Sequence, residues 1–401
     1  MMRLAALAVL LSAGWTYSAA EPVVFQEAEI HRLRDVLRHI YRLDYDKAKA
    51  ICDEMIRERP DDPVGYVYLA RTYWSDYLNR DQALSVSRFA ADDFFINYNK
   101  YKIPIAPESE KRFRDVTQTA IEKSRAMLKR NPNDIRVKYL LGVAFQNLAS
   151  FEATVTHGWW ASFMNGDKNV KQHREVQKRA PSFADAAMAL AVYDYVAASV
   201  SWKIRWLSIL LGHPGSKTGA KAELERVVVQ AQLVNDDART VLAVLYTRDR
   251  EYDKAFAKLS ELRAAHPTNF LFHLELADMH GRMQHYDAAI REYSSILGMI
   301  RSNTNGYGRL EKAQVRNRLG IAQRGFRNYT AAETEFGAVL SDRSASAHSL
   351  LKARLELAKT LDLTGKRESA LEMYRKVSKE DPFGFYRKDA ENWMEKPYAG
   401  R

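Results

Sequence analysis

The stretch DDARTVLAVLYTRDREYDKAFAKLSELRAAHPTN, residues 236–269, decides the fold. Leu242, Ala243 and Tyr246 recur at helical spacing, and so do Ala255, Leu259 and Leu262 after a polar break. Ala243 stands twelve positions before Ala255, and Pro267 follows the second apolar segment. Two helices joined by a short turn satisfy this pattern. A small residue on each lets their axes approach closely, and proline stops the second. One such hairpin leaves an apolar face uncovered, so copies must stack.

The copies are present. Ala277 precedes Ala289, Gly320 precedes Ala332, and Ala358 precedes Ala370, each by the same twelve positions. Tyr293, Phe336 and Tyr374 follow one turn later, at the place of Leu259. Upstream, Ala48 to Pro60 and Ala120 to Pro132 keep the second-helix spacing. Leu69-Ala70-Tyr73 and Leu141-Gly142-Phe145 keep the first-helix pattern.

These residues resemble the tetratricopeptide repeat family. The resemblance implies an all-α tetratricopeptide-repeat α-solenoid, a right-handed superhelix of helix hairpins with a concave groove. The copies at 236–269, 270–303, 313–346 and 351–384 carry it. The tryptophan that opens many such repeats is replaced by Arg239, His273, Arg316 and Arg354. The middle of the chain also resembles exported bacterial tetratricopeptide proteins. The shared pieces are Trp159-Trp160, Phe183-Ala-Asp-Ala186, Tyr193-x-Tyr195 and the run ending Leu210-Leu211-Gly212-x-Pro214-Gly215.

The rest of the chain arranges itself around the array. Arg3, the apolar run Leu4–Trp15 and Ser18-Ala19-Ala20 read as a signal peptide over 1–20. The expected product is exported, soluble, and periplasmic or secreted. Residues 21–235 read as divergent helical repeats with interruptions at 80–109 and 150–217. Residues 236–384 are four regular repeats. Residues 385–401 form a capping helix and tail, with Phe383, Phe385, Tyr386 and Trp393 over the open end.

Composition agrees with a folded binding protein. Of 401 residues, 46% are hydrophobic and 28% charged, which excludes a disordered chain. The single cysteine, Cys52, excludes an internal disulfide and a Cys-based zinc site, and its helix position is a core one. Gly212–Thr218 lacks the spacing of a phosphate loop, so Ser216 is expected to cap a helix instead. His273, His280 and His285 have no partner at a metal-binding spacing. No nucleophile or acid–base motif is present. The expectation is a non-enzymatic protein with no catalytic residue, cofactor, metal or nucleic-acid partner.

Function then falls to surfaces. The inward face of the first helices is expected to present Arg248, Asp278, Arg282, Asn317, Ile321, Arg324, Leu355 and Lys359 to a protein partner. Cations prevail among the charged members, which favours an acidic or C-terminal segment of that partner. Lys352 matches one position of the family's carboxylate-clamp subset. The preceding first helices lack its Lys/Asn set, so that clamp is not expected. Residues 97–140 carry an excess of Lys and Arg, suited to an anionic membrane surface or an acidic partner. An alternative reading makes the chain an apolar-ligand or membrane-surface binder through the Trp-rich segment 150–217. Trp159, Trp160, Trp202 and Trp206 would supply the patch, with Lys203 and Arg205 at headgroup level. Within that segment two readings stay open. Either 196–211 is core, covered by Trp159, Trp160 and Phe163, or it is an exposed interfacial site.

Overall fold

The structure, a computed structural model, describes residues 21–80, 84–91, 105–199, 215–382 and 384–400. The expected signal peptide lies outside them, as do Trp202, Lys203, Arg205, Trp206 and Phe383.

Helix pairs follow one another along the chain. They are α1 Glu27–Tyr41 with α2 Tyr45–Glu58, and α3 Val64–Arg80 with α5 Pro107–Arg130, the short α4 Val86–Ala90 lying between. Next come α6 Ile135–Phe151 with α7 Trp159–Arg179, and α8 Asp185–Ser199 with α9 Lys217–Gln230. The four regular repeats are α10 Asn235–Arg248 with α11 Tyr252–Ala265, α12 Phe270–Arg282 with α13 Tyr286–Arg301, α14 Lys312–Gly325 with α15 Tyr329–Leu340, and α16 Ala347–Leu363 with α17 Arg367–Glu380. The cap is α18, Arg387–Glu395. Each helix packs on the next, and no strand occurs among the described residues. This is an all-α solenoid of tetratricopeptide-type hairpins. The segment 150–217 contributes α7, α8 and the start of α9 to the stack.

The small-residue spacing has the expected cause. Ala243, Ala255, Ala277, Ala289, Ala332, Ala358 and Ala370 are wholly buried. A Cβ on Gly320 would stand 2.6 Å from the Phe336 ring, so only glycine admits the aromatic there. Gly142 plays the same part against the His173 ring, where a Cβ would come within 2.4 Å.

The turns inside the hairpins repeat as well. Leu43, Arg250, Gln284, Arg327 and Gly365 all have positive φ, between 60° and 75°. Each is followed by an amide that bonds back over five residues: Asp44 to His39, Glu251 to Tyr246, His285 to His280, Asn328 to Gln323 and Lys366 to Leu361. This closure satisfies the last carbonyls of the first helix and reverses the chain. Ser216 caps α9, its hydroxyl accepting from the Gly219 amide at 3.1 Å. Cys52 is fully buried, and burial pushes its thiol up to about 12.

The stack also closes on itself. Arg34 Nε donates to the Gln232 carbonyl at 2.9 Å, Asn269 Nδ2 to the Tyr41 carbonyl at 2.7 Å, and Arg309 to the Leu43 carbonyl at 3.2 Å. At the centre of this seam Arg71 on α3 pairs with Asp237 on α10 at 2.5 Å. The Tyr41 hydroxyl donates to the same carboxylate. Burial, and then the Asp237 charge, push that hydroxyl well above its usual range. The Tyr41 ring stacks on His266 with centroids 5.0 Å apart. The first two hairpins therefore pack against α10 and α12, with partners about two hundred residues further along the chain.

Candidate binding face

The insertion after α3 takes part in this closure. Helix α4 packs on α10, with Val86 and Ala90 buried. The Val86 amide donates to Glu275 Oε1 on α12 at 3.0 Å. Glu275 is buried, and burial, followed by the charge of Asp278, pushes its carboxyl up to about 7. The chain thus sets a short segment of its own on α10 and α12.

Beyond that point the first helices carry a polar ladder. Arg318 on α14 pairs with Asp278 on α12 at 3.2 Å, and Asp278 also accepts from the Tyr293 hydroxyl at 2.5 Å. Arg324 on α14 pairs with Glu356 on α16 at 2.5 Å, and Lys359 adds a second cation to Glu356 at 3.0 Å. Burial alone would raise the Glu356 carboxyl, but Arg324 and Lys359 hold it below its ordinary range. The tail turns back onto this end. The Tyr398 ring lies under Arg324 at 5.3 Å and Lys359 at 5.7 Å, and its amide donates to Asp362 at 2.9 Å.

Lys352 on α16 is the exception in the ladder. It is half-buried, and it makes no hydrogen bond or ion pair among the described residues. Burial, and then the neighbouring Arg318 charge, push its ammonium below the usual lysine range. Arg282 at the end of α12 is exposed and also without such a partner among the described residues. On this face Arg282, Arg318, Arg324, Lys352 and Lys359 stand against Glu275, Asp278 and Glu356. Five cations meet three carboxylates, and burial favours the neutral form of one of them, Glu275.

The residues expected to line the groove distribute unevenly. Asp278, Arg324 and Lys359 belong to the ladder, Arg282 stands at its edge, and Ile321 is half-buried on α14. Arg248 is half-buried at the end of α10, the helix that carries α4. Two expectations are corrected. Leu355 is core, packed with Ala358, Tyr374 and Val377, because the inner stripe of α16 runs through Lys352, Glu356 and Lys359. Asn317 is buried and donates to the Ser349 carbonyl at 2.9 Å, locking α14 to α16, while Arg318 beside it takes the ladder position. Neighbouring residues differ by about 100° around a helix, so a register one residue off exchanges a lining side chain for a core one. Arg318 carries no sequence signal beyond that register.

The Trp-rich segment resolves partly. Trp159 and Trp160 form an edge-on pair, centroids 5.6 Å apart, and both are exposed. The other four residues of the expected patch, Trp202, Trp206, Lys203 and Arg205, are outside the described residues.

No family model matches the sequence, and no curated protein matches it. Solved structures resemble it at low identity. Yeast Tom70 is 12% identical over 89% of this chain and 86% of its own, with a TM-score of 0.37. The human IFIT1 dimer with m7Gppp-AAAA is 13% identical over 93% of this chain and 86% of its own, with a TM-score of 0.44. The fold assignment stands on the hairpin repeats of this chain itself.

Proposed function

We propose that this protein is a non-enzymatic scaffold of the periplasm or cell envelope that holds an acidic segment of a partner protein on the inner face of α12, α14 and α16. The observation that carries the reading is Lys352. A half-buried ammonium that makes no ion pair, its burial and the Arg318 charge only partly offset by the charges of Glu356 and Asp278, costs free energy in the unbound fold. An incoming Asp or Glu side chain would recover that cost and form a charge-assisted bond. Arg318 and Arg282 extend the positive strip on either side, so a segment with spaced acidic residues fits it best. The ladder offers no activated nucleophile and no acid–base pair, which favours binding over catalysis.

Lys352→Met tests this directly. A short fluorescein-labelled peptide rich in Asp and Glu is titrated with the protein and read by anisotropy. Wild type is expected to bind, and Lys352→Met to bind at least tenfold more weakly while melting no lower. Arg282→Glu should weaken binding further without touching the fold. Arg324 is a poor test site, because its removal uncovers Glu356. Equal affinity of wild type and Lys352→Met for the peptide would overturn the assignment.

A further inference from the structure

Eight large hydrophobic side chains are exposed among the described residues, and four of them gather at the start of α7. Trp159 is 54% exposed, Trp160 60%, Phe163 38% and Met164 39%, all in the first two turns of α7. Trp160 stacks on Phe163 with centroids 5.9 Å apart. Scattered single apolar residues need no explanation, but a cluster of aromatic side chains facing water does.

The cluster stands on a firm base. A π turn, Glu152–Thr156, joins α6 to α7, and His157 after it has a φ of 54°. Glu152 accepts from Arg114 at 2.7 Å and from the Thr156 hydroxyl. Trp74 Nε1 donates to Thr154 at 2.9 Å. The first turn of α7 is therefore held out by a buried polar network.

Beside the aromatics the charge is positive. Lys168 on α7 and Arg125 on α5 lie over the same Phe145 ring, at 5.4 and 5.9 Å. Both are exposed, and neither makes an ion pair among the described residues. Two like charges held on one ring, neither in an ion pair among the described residues, leave room for an external anion. Aromatic side chains at the tip with cations just behind them match a bilayer's interface, where indole rings sit at the headgroup level and cations meet lipid phosphates.

We propose that this edge docks the protein on the surface of an anionic membrane, with Trp159, Trp160, Phe163 and Met164 entering the interface and Arg125 and Lys168 contacting headgroups. The site lies on α5 and α7, apart from the ladder on α12–α16, so it stands or falls independently of the peptide reading. One protein can then hold a partner segment while resting on a membrane.

Flotation with two kinds of vesicle tests it: phosphatidylcholine alone, and phosphatidylcholine mixed with phosphatidylglycerol. Wild type is expected to float with the mixed vesicles, with a blue shift in tryptophan emission, and to remain behind with phosphatidylcholine alone. Trp160→Glu with Phe163→Glu should reduce flotation at least tenfold while far-UV circular dichroism and melting stay unchanged. Arg125→Glu with Lys168→Glu, which leaves the aromatics intact, should abolish the preference for anionic lipid. The proposal is overturned if wild type floats with neither vesicle, or if either double variant floats as wild type does.

Discussion

The inner faces of α10–α12 and of α14–α16 come from the same repeat, with the same small-residue contacts and the same hairpin turns, yet they end differently. The first is filled by the chain. Arg71 and Tyr41 meet Asp237 there, and α4 brings the Val86 amide to Glu275. The second keeps Lys352 without an ion pair beside Arg318. A repeat specifies how hairpins stack and leaves the inner stripe free to vary. What occupies that stripe in α10–α12 is decided elsewhere in the chain, by an insertion and a distant helix.

The largest expected effect lies at the seam. Arg71→Leu removes the cation from a buried pair and strands Asp237, which should cost about 3–5 kcal/mol in thermal or denaturant unfolding. Lys352→Met on the open face should cost nothing, because that cation has no partner to strand. If the two substitutions proved equally mild, the seam would be a loose contact and the contrast would fail.

The two faces should also respond to pH with opposite sign. The Glu275 carboxyl is raised from 4.5 to about 7, so the folded state holds its proton more tightly. Stability should therefore fall as pH rises through that interval. Glu275→Gln removes the loss and keeps an acceptor for the Val86 amide. A gain on the order of 2 kcal/mol is expected at pH 8, vanishing near pH 4. The Glu356 carboxyl is held below 4.5 by Arg324 and Lys359, so its contribution is present at neutral pH and lost on acidification. Glu356→Gln should destabilise at pH 8 and matter little in acid. Melting curves of both variants across that range would show curves of opposite slope. Parallel curves would mean that the faces do not differ electrostatically.

The smallest effect should be indifferent to the contrast. Arg250, Gln284 and Arg327 sit in the left-handed region at equivalent turns, two in the filled part and one in the open part. A side chain there costs more than glycine, although glycine loosens the unfolded chain. Each change to glycine should stabilise by about 0.5 kcal/mol, equally at all three. A larger gain at one turn would show that the repeats do not share a common hairpin.

Much of the fold was legible because its causes are local. The twelve-residue spacing of Gly320 and Ala332 reflects a contact between neighbouring helices, and the Ser216 cap is a contact over three residues. The shared turn geometry was less visible, since only Gly365 among the five positive-φ positions advertises it. The make-up of the inner face was half legible. Asp278, Arg324 and Lys359 were expected on it and form ion pairs with each other's helices or their own. Leu355 and Asn317 were misplaced by a register of one residue, and Arg318 was missed for the same reason. Trp159 and Trp160 were visible as an oddity, but sequence offered no way to choose between covered and exposed.

By itself, then, the sequence determined the hairpin unit, its period, its four regular copies and the absence of a recognisable catalytic motif. All of these follow from side chains within about forty residues of one another. Only the tertiary structure decided which part of the inner face is filled, which cation is left without a partner, and which aromatics meet water. Those outcomes depend on segments about two hundred residues apart meeting at the seam. No periodicity records such a meeting, because the free energy that selects it resides in the contact and not in either segment alone.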